Sequence, residues 1–122
     1  RIYKQLDSMN SDKVIDAFRK QLEDRFGTLT QEVDNLFNVV KIRNLGASLG
    51  FEKIIVKNGM FIAFFVSNRM TGYYESDVFA SVIQRINGHP EFALKQSEDK
   101  LKIVTRGVDS MEKALLTLKK LQ

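Results

Sequence analysis

The stretch Gln21-Leu-Glu-Asp-Arg-Phe-Gly-Thr-Leu-Thr-Gln-Glu-Val33 holds the end of one helix, a stop, and the start of a second helix. Ahead of it, Val14, Ile15, Phe18 and Leu22 fall at i, i+1, i+4 and i+8, the spacing of a buried helical face. Gly27 stands where a helix ends, because a residue without Cβ takes positive φ at little cost. Thr30 is then an N-cap whose hydroxyl accepts from a backbone N–H two or three residues on. Glu32 follows in the first turn, where the helix dipole favours an acid. Val33, Leu36, Phe37 and Val40 open the next apolar face. A helix-stop-helix corner follows from these residues.

Upstream, Ile2 and Leu6 at i and i+4, with Tyr3 beside them, allow a helical lead-in over Arg1–Ser8. Ser11 caps the next helix, which runs to about Arg25. The second helix spans about Gln31 to Leu49. Its apolar residues wrap around more than one face, which predicts cover on two sides. Beyond Gly50 the period changes from 3.6 to 2. Lys53–Lys57 and Met60–Val66 flank Asn58-Gly59, the dipeptide of a type I′ turn, so a two-residue β-hairpin is expected. Ser67 to Gly72 reads as a polar loop. A helix then starts near Ser76 and ends at Asn87-Gly88, before Pro90. A second hairpin pairs Phe92–Gln96 with Leu101–Thr105 across a turn from Ser97 to Lys100. The last helix is expected to take Asp109 as N-cap, with Glu112 completing a capping box. The fold class is therefore α+β: an N-terminal helical corner followed by two ββα units, whose four-stranded sheet, mixed or antiparallel, is covered by helices.

The chain has 122 residues, the size of one domain, and 43% apolar residues with nine Phe supply a core. With no cysteine, disulfides and thiolate chemistry are excluded, and the composition suits a reducing cytoplasm. The longest apolar run, Met60 to Val66, is strand-sized and far short of a membrane span. The start at Arg1 rather than Met reads as a piece of a longer polypeptide. Nineteen basic residues are interspersed with fifteen acidic ones for a net +4, and the longest basic run is Lys119-Lys120. A solvated mixed surface is favoured over a functional basic face on that evidence.

His89 is the lone histidine, set between Gly88 and Pro90, and a turn role outweighs a catalytic one. No His–His or cysteine metal site and no phosphate-cradling Gly-rich loop can be assembled. Gly46 and Gly50 read as a close-packing site and a cap, and Glu98-Asp99 as a solvated turn. Phe61, Phe64, Phe65, Tyr73 and Tyr74 would stack bases if exposed on a sheet. The adjacent Phe64-Phe65 instead suggests that both sheet faces are at least partly covered, and core packing is favoured.

Asp24-Arg25-Phe26-Gly27, Gln31-Glu32-Val33, Lys41-Ile42-Arg43 and Leu49-Gly50-Phe51-Glu52-Lys53-Ile54 resemble the C-terminal domain of bacterial transcription-repair coupling factors. That family typically reads Asp-Arg-Phe-Gly-x-Leu-Pro-x-x-Val and then Leu-Gly-Ile-x-Lys-Ile. Thr28 and Thr30 stand here where prolines are usual, and Phe51 replaces an aliphatic residue. The match covers the first half; past about Met60 only the pattern is shared.

The resemblance implies that residues 1–10 lead in from a preceding translocase module and that 11–122 form one regulatory domain. It implies docking on an N-terminal UvrB-like module of the same polypeptide, which hides a UvrA-binding surface and restrains the motor. The docking residues it implies are Gln21, Glu23, Asp24, Arg25 and Phe26, with Leu29 a further apolar candidate. Gln21 stands where an acid can occur, so charge assistance is weaker there. The other reading of Asp24 and Arg25 is that they simply brace the helix corner. ATP, magnesium, RNA polymerase and double-stranded DNA would be handled by upstream modules, leaving this domain non-catalytic and without a cofactor. The alternative is a stand-alone basic nucleic-acid-binding domain. No membrane partner is expected, and the cytoplasm is the expected location.

Overall fold

The computed structural model describes residues 2–67 and 71–122. Arg1, the side chain of Tyr3 and the middle of the expected Ser67–Gly72 loop lie outside the described residues. Three helices come first: α1 (Ile2–Asp7), α2 (Asp12–Phe26) and α3 (Gln31–Leu49). Two ββα units follow. The first is β1 (Phe51–Lys57), β2 (Met60–Phe65) and α4 (Asp77–Asn87); the second is β3 (Ala93–Ser97), β4 (Lys100–Arg106) and α5 (Met111–Lys119). A 3-10 turn at Tyr73–Glu75 leads into α4.

The expected corner forms, but Val14, expected on the buried face of α2, is 51% exposed, and Ile15 and Leu22 carry that face. Gly27 takes φ of 80° and its N–H donates to the Glu23 carbonyl at 2.8 Å. The Thr30 hydroxyl accepts from Val33 N at 3.3 Å and starts α3. Gly50 ends α3 in the left-handed region. A Cβ there would lie 2.0 Å from the Tyr73 ring, and one on Gly46 would lie 2.7 Å from Ile54. Gly50, with φ of 99° as well, needs glycine as the cap its place implied, whereas Gly46 is a close-packing site against the terminal methyl of Ile54.

The sheet is antiparallel throughout, in the order β1-β2-β4-β3. Asn58 and Gly59 both have positive φ, as a type I′ turn requires. The second hairpin is tighter than expected. Ser97 pairs with Lys100, so only Glu98 and Asp99 form the turn, and Glu98 adopts φ of 56°. The last helix also starts one residue later than the sequence predicts. Ser110, not Asp109, accepts from Lys113 N at 3.1 Å, while Asp109 pairs with the Lys113 amine at 3.1 Å. Either residue type caps well; burial of Val108 and the positive φ of Gly107 fix which one sits at the helix entry.

There are two apolar cores, and α3 belongs to both. Its first half gives Phe37 and Val40 to a helical core with Leu6, Ile15 and Leu22. Its second half gives Ile42 and Leu49 to the sheet core, built on Phe61, Ala63, Phe65 and Ile103 under α4 and α5. The two-sided cover expected of this helix is thus arranged along its length. The lead-in is packed: Leu6 is fully buried, and Asn44 Nδ2 donates to the Met9 carbonyl at 2.9 Å.

The helices that pack on the sheet, α3, α4 and α5, lie on one face of it, so the expectation that both faces are covered fails. Along β2, burial alternates strictly: Phe61, Ala63 and Phe65 point into the core, and Met60, Ile62 and Phe64 point away. The outward residues join neither core. Phe64 is therefore not core. It is sheltered by lysine stems, with the amines of Lys53 and Lys102 at 5.9 and 5.5 Å from its ring centre. Phe61, Phe65, Tyr73 and Tyr74 are packed as expected.

Candidate functional site

Gln21, Glu23, Asp24, Arg25 and Phe26 occupy the last turns of α2, and all five are exposed. Gln21, Asp24 and Arg25 share one helical side at i, i+3 and i+4. The ring of Phe26 is 68% exposed, the most open large apolar side chain among the described residues. Arg25 lies over that ring with its guanidinium carbon 5.2 Å from the centre, and so holds it against the helix end. Leu29 is partly buried in the helical core, which leaves Phe26 as the apolar member of this surface. Ile2, Lys4, Gln5, Leu22, Arg25 and Phe26 line a groove of about 520 Å³ between α1 and the end of α2.

The acids here are placed against the helix dipole. The last turn carries partial negative charge, so Glu23 and Asp24 do not serve helix stability. Glu23 is compensated by Arg19, 3.8 Å away on the preceding turn. Asp24 has no ion pair or hydrogen bond among the described residues. The bracing of the corner comes instead from Arg19, which also pairs with Asp34 of α3. Gln21 likewise makes no described side-chain hydrogen bond. The elements thus bring together an exposed ring, an unpaired carboxylate, an amide and a shallow groove.

Elsewhere the chemistry-bearing residues have structural work. His89 Nδ1 lies 2.8 Å from the Arg85 carbonyl and its ring meets Phe92 edge-on, so it closes the end of α4. The Tyr73 hydroxyl donates to the Leu49 carbonyl and that of Tyr74 to the Val66 carbonyl. Burial, with a smaller contribution from Tyr74, pushes the Tyr73 phenol well above its usual range, so it remains a donor. Among the described residues no group of His, Cys, Asp or Glu is arranged to hold a metal, and no described helix is long and apolar enough to cross a membrane.

One surface was missed by reading charge along the chain. Period-2 alternation places Lys53 and Lys57 of β1, Lys95 of β3, and Lys100, Lys102 and Arg106 of β4 on the helix-free face of the sheet. The signal was present in Lys53-x-Ile55-x-Lys57 and in Lys100-x-Lys102-x-Val104-x-Arg106. Counting longest basic runs does not detect it, because strand neighbours point to opposite faces.

Comparison with known proteins bears on the family and the fold. The family described as the TRCF domain matches residues 1–75. The transcription-repair-coupling factor of Rickettsia bellii is 31% identical over 67 residues, covering 55% of this chain and 6% of that protein. That of Rickettsia conorii is 23% identical over 108 residues, covering 88% of this chain and 9% of its own length. The chain thus spans under a tenth of either relative. The crystal structure of a C-terminal domain of transcription-repair coupling factor superposes with a TM-score of 0.76, over 98% of this chain and 76% of that one. Its identity of 13% makes that likeness one of fold.

Proposed function

The chain belongs to the transcription-repair-coupling factor family, with the fold of its C-terminal domain, and on that premise we propose that it is a non-catalytic regulatory latch. In this reading residues 1–10 lead in from a translocase module and 11–122 form the latch. The end of α2 docks on an N-terminal UvrB-like module of the same cytoplasmic polypeptide. Docking covers the module's UvrA-binding surface and restrains a motor that uses ATP and magnesium upstream. RNA polymerase and double-stranded DNA would be engaged by the rest of the protein.

The observation that carries this reading is the exposed Phe26 ring beside the unpaired Asp24. Phe26 gains little from folding while its ring stays in water, so the gain from burying it remains available to a partner. Burying a phenylalanine contributes about 1.5–3 kcal/mol, whereas an exposed carboxylate–guanidinium pair contributes about 0–1 kcal/mol. Phe26 should therefore supply most of the affinity and Asp24 the register, through bidentate contact with an arginine. A modest interface suffices within one polypeptide, because tethering supplies an effective concentration of about millimolar. UvrA would then compete by population shift, and loss of a few kcal/mol would open the latch.

The test mixes the 122-residue chain with a UvrB-like module from a coupling factor and measures affinity by calorimetry. Phe26→Ala should weaken the complex by about tenfold or more and Asp24→Ala by several-fold, with circular dichroism of both variants unchanged. Gln21→Glu should strengthen it. If wild type binds and both alanine variants bind equally well, the end of α2 is not the docking surface. Failure of UvrA to compete would remove the masking role.

A further inference from the structure

We propose that the helix-free face of the sheet is a second docking surface, shaped for an acidic amphipathic helix of a partner protein. The register lays this face out in bands. Lys53, Phe64, Lys102 and Lys95 stand opposite one another across the four strands. Two residues along, Ile55, Ile62, Val104 and Ala93 form an aliphatic band. Two further along come Lys57, Met60 and Arg106. An apolar trough thus runs across the strands between two cationic rows.

The dimensions select the occupant. The two rows are four strand residues apart, about 13 Å, and a helix with its side chains is about 10–12 Å across. A helix lying crosswise would set its apolar stripe on the Ile55–Ala93 band and its flanks against the two rows. Those flanks must be acidic. The six cations of the face make no ion pair with any described residue. On the strands and their turns the carboxylates are Glu52 in the β1 bulge and Glu98-Asp99 in the turn, both at the margin of the bands. Four strands are about 14 Å wide, enough for roughly ten helical residues. Such a contact is small, which predicts micromolar and reversible binding.

A single-stranded nucleic acid fits less well. Base stacking needs aromatic platforms in succession, and this face offers one ring, already flanked by two lysine amines. The aliphatic band gives nucleic acid little, yet it is what an amphipathic helix requires.

The test is an NMR titration of the isotope-labelled 122-residue chain with three probes. They are a peptide of about 14 residues with a leucine stripe flanked on both sides by glutamates, a scrambled peptide of the same composition, and a short oligothymidylate. The patterned peptide should shift amides of all four strands, with a dissociation constant of roughly 10–100 μM that weakens as salt is raised. Lys102→Glu and Ile62→Ser should each weaken it about tenfold while the rest of the spectrum stays folded. The scrambled peptide should bind much more weakly. Equal binding of both peptides, tighter binding of the oligothymidylate, or concentration-dependent self-association through the same strands would each overturn the proposal, as would no strand shifts from the patterned peptide.

Discussion

The helical corner and the sheet half are built by different means. In the corner, α1 and α2 meet α3 through a small core of five buried residues, Leu6, Ile15, Leu22, Phe37 and Val40. Around it, among the described residues, three ion pairs join its helices: Arg19 with Asp34, Lys41 with Asp16 at 2.6 Å, and Arg43 with Asp7, all partly exposed. In the sheet half, antiparallel ladders and a nest of rings do the holding. Phe65 packs at 4.5 Å from Phe51 and edge-on at 5.5 Å from Phe79, which in turn meets both Tyr73 and Tyr74. Exposed ion pairs contribute about 0–1 kcal/mol each and are screened by salt, whereas buried aromatics are not. The corner should therefore be the first part to open and the sheet half the last. That order suits the proposed latch, in which the end of α2 would dock from the less stable part.

The largest test of this contrast pairs one phenylalanine from each core. Phe61 and Phe37 are both almost completely buried, and truncating either to alanine should cost about 3–5 kcal/mol. The consequences should differ. Phe61→Ala should lower the stability of the whole chain in one denaturant transition. Phe37→Ala should free α1 and α2 while the strands stay protected, which native-state hydrogen exchange would read residue by residue. Uniform loss of protection in both variants would mean that α3 couples the two cores into one cooperative unit.

Next in size is the junction between α3 and β1, inside the sheet half. Gly50 combines φ of 99° with a ring where its Cβ would go, so Gly50→Ala should cost about 3 kcal/mol from strain and overpacking together. The displaced Tyr73 hydroxyl would give up the Leu49 carbonyl. Hydrogen exchange should then rise at the α3–β1 junction and in the 3-10 turn, with α2 unaffected. A variant as stable as wild type would show that the tyrosine can swing aside at no cost.

What could be read from the sequence follows the same division. Signals local to a few residues were legible: the Gly27 stop, the Thr30 cap, the Asn58-Gly59 turn and the bounds of α3 each depend on conformations that few residues adopt. Signals that depend on what lies across the chain were not. Phe64-Phe65 suggested two covered faces, yet the pleat sends one ring inward and the other out among lysines. Six cations looked scattered because the strands that gather them are distant in sequence. Asp109 and Ser110 are equivalent caps until Val108 is buried. At the end of α2 the resemblance named the residues, but the solvent exposure of Phe26 and the partial burial of Leu29 come only from the packing of the helical core.

The smallest effect tests whether the sheet half really does without ion pairs. Among the described residues its one cross-element pair joins Lys120, at the end of α5, to Glu91 at 2.8 Å. The Lys120 hydrogen bond, helped by a backbone hydrogen bond and by the nearby charges, holds the Glu91 carboxyl below its ordinary 4.5. A carboxylate with a depressed folded pKa contributes stability that is present above the unfolded value and is lost as pH falls through the folded one. Wild type should therefore lose a small increment below pH 4.5. Glu91→Gln should lack that increment at neutral pH and converge with wild type in acid. A gap that persists in acid would assign Glu91 a packing role, and a difference as large as that of Phe61→Ala would break the contrast between the two regions.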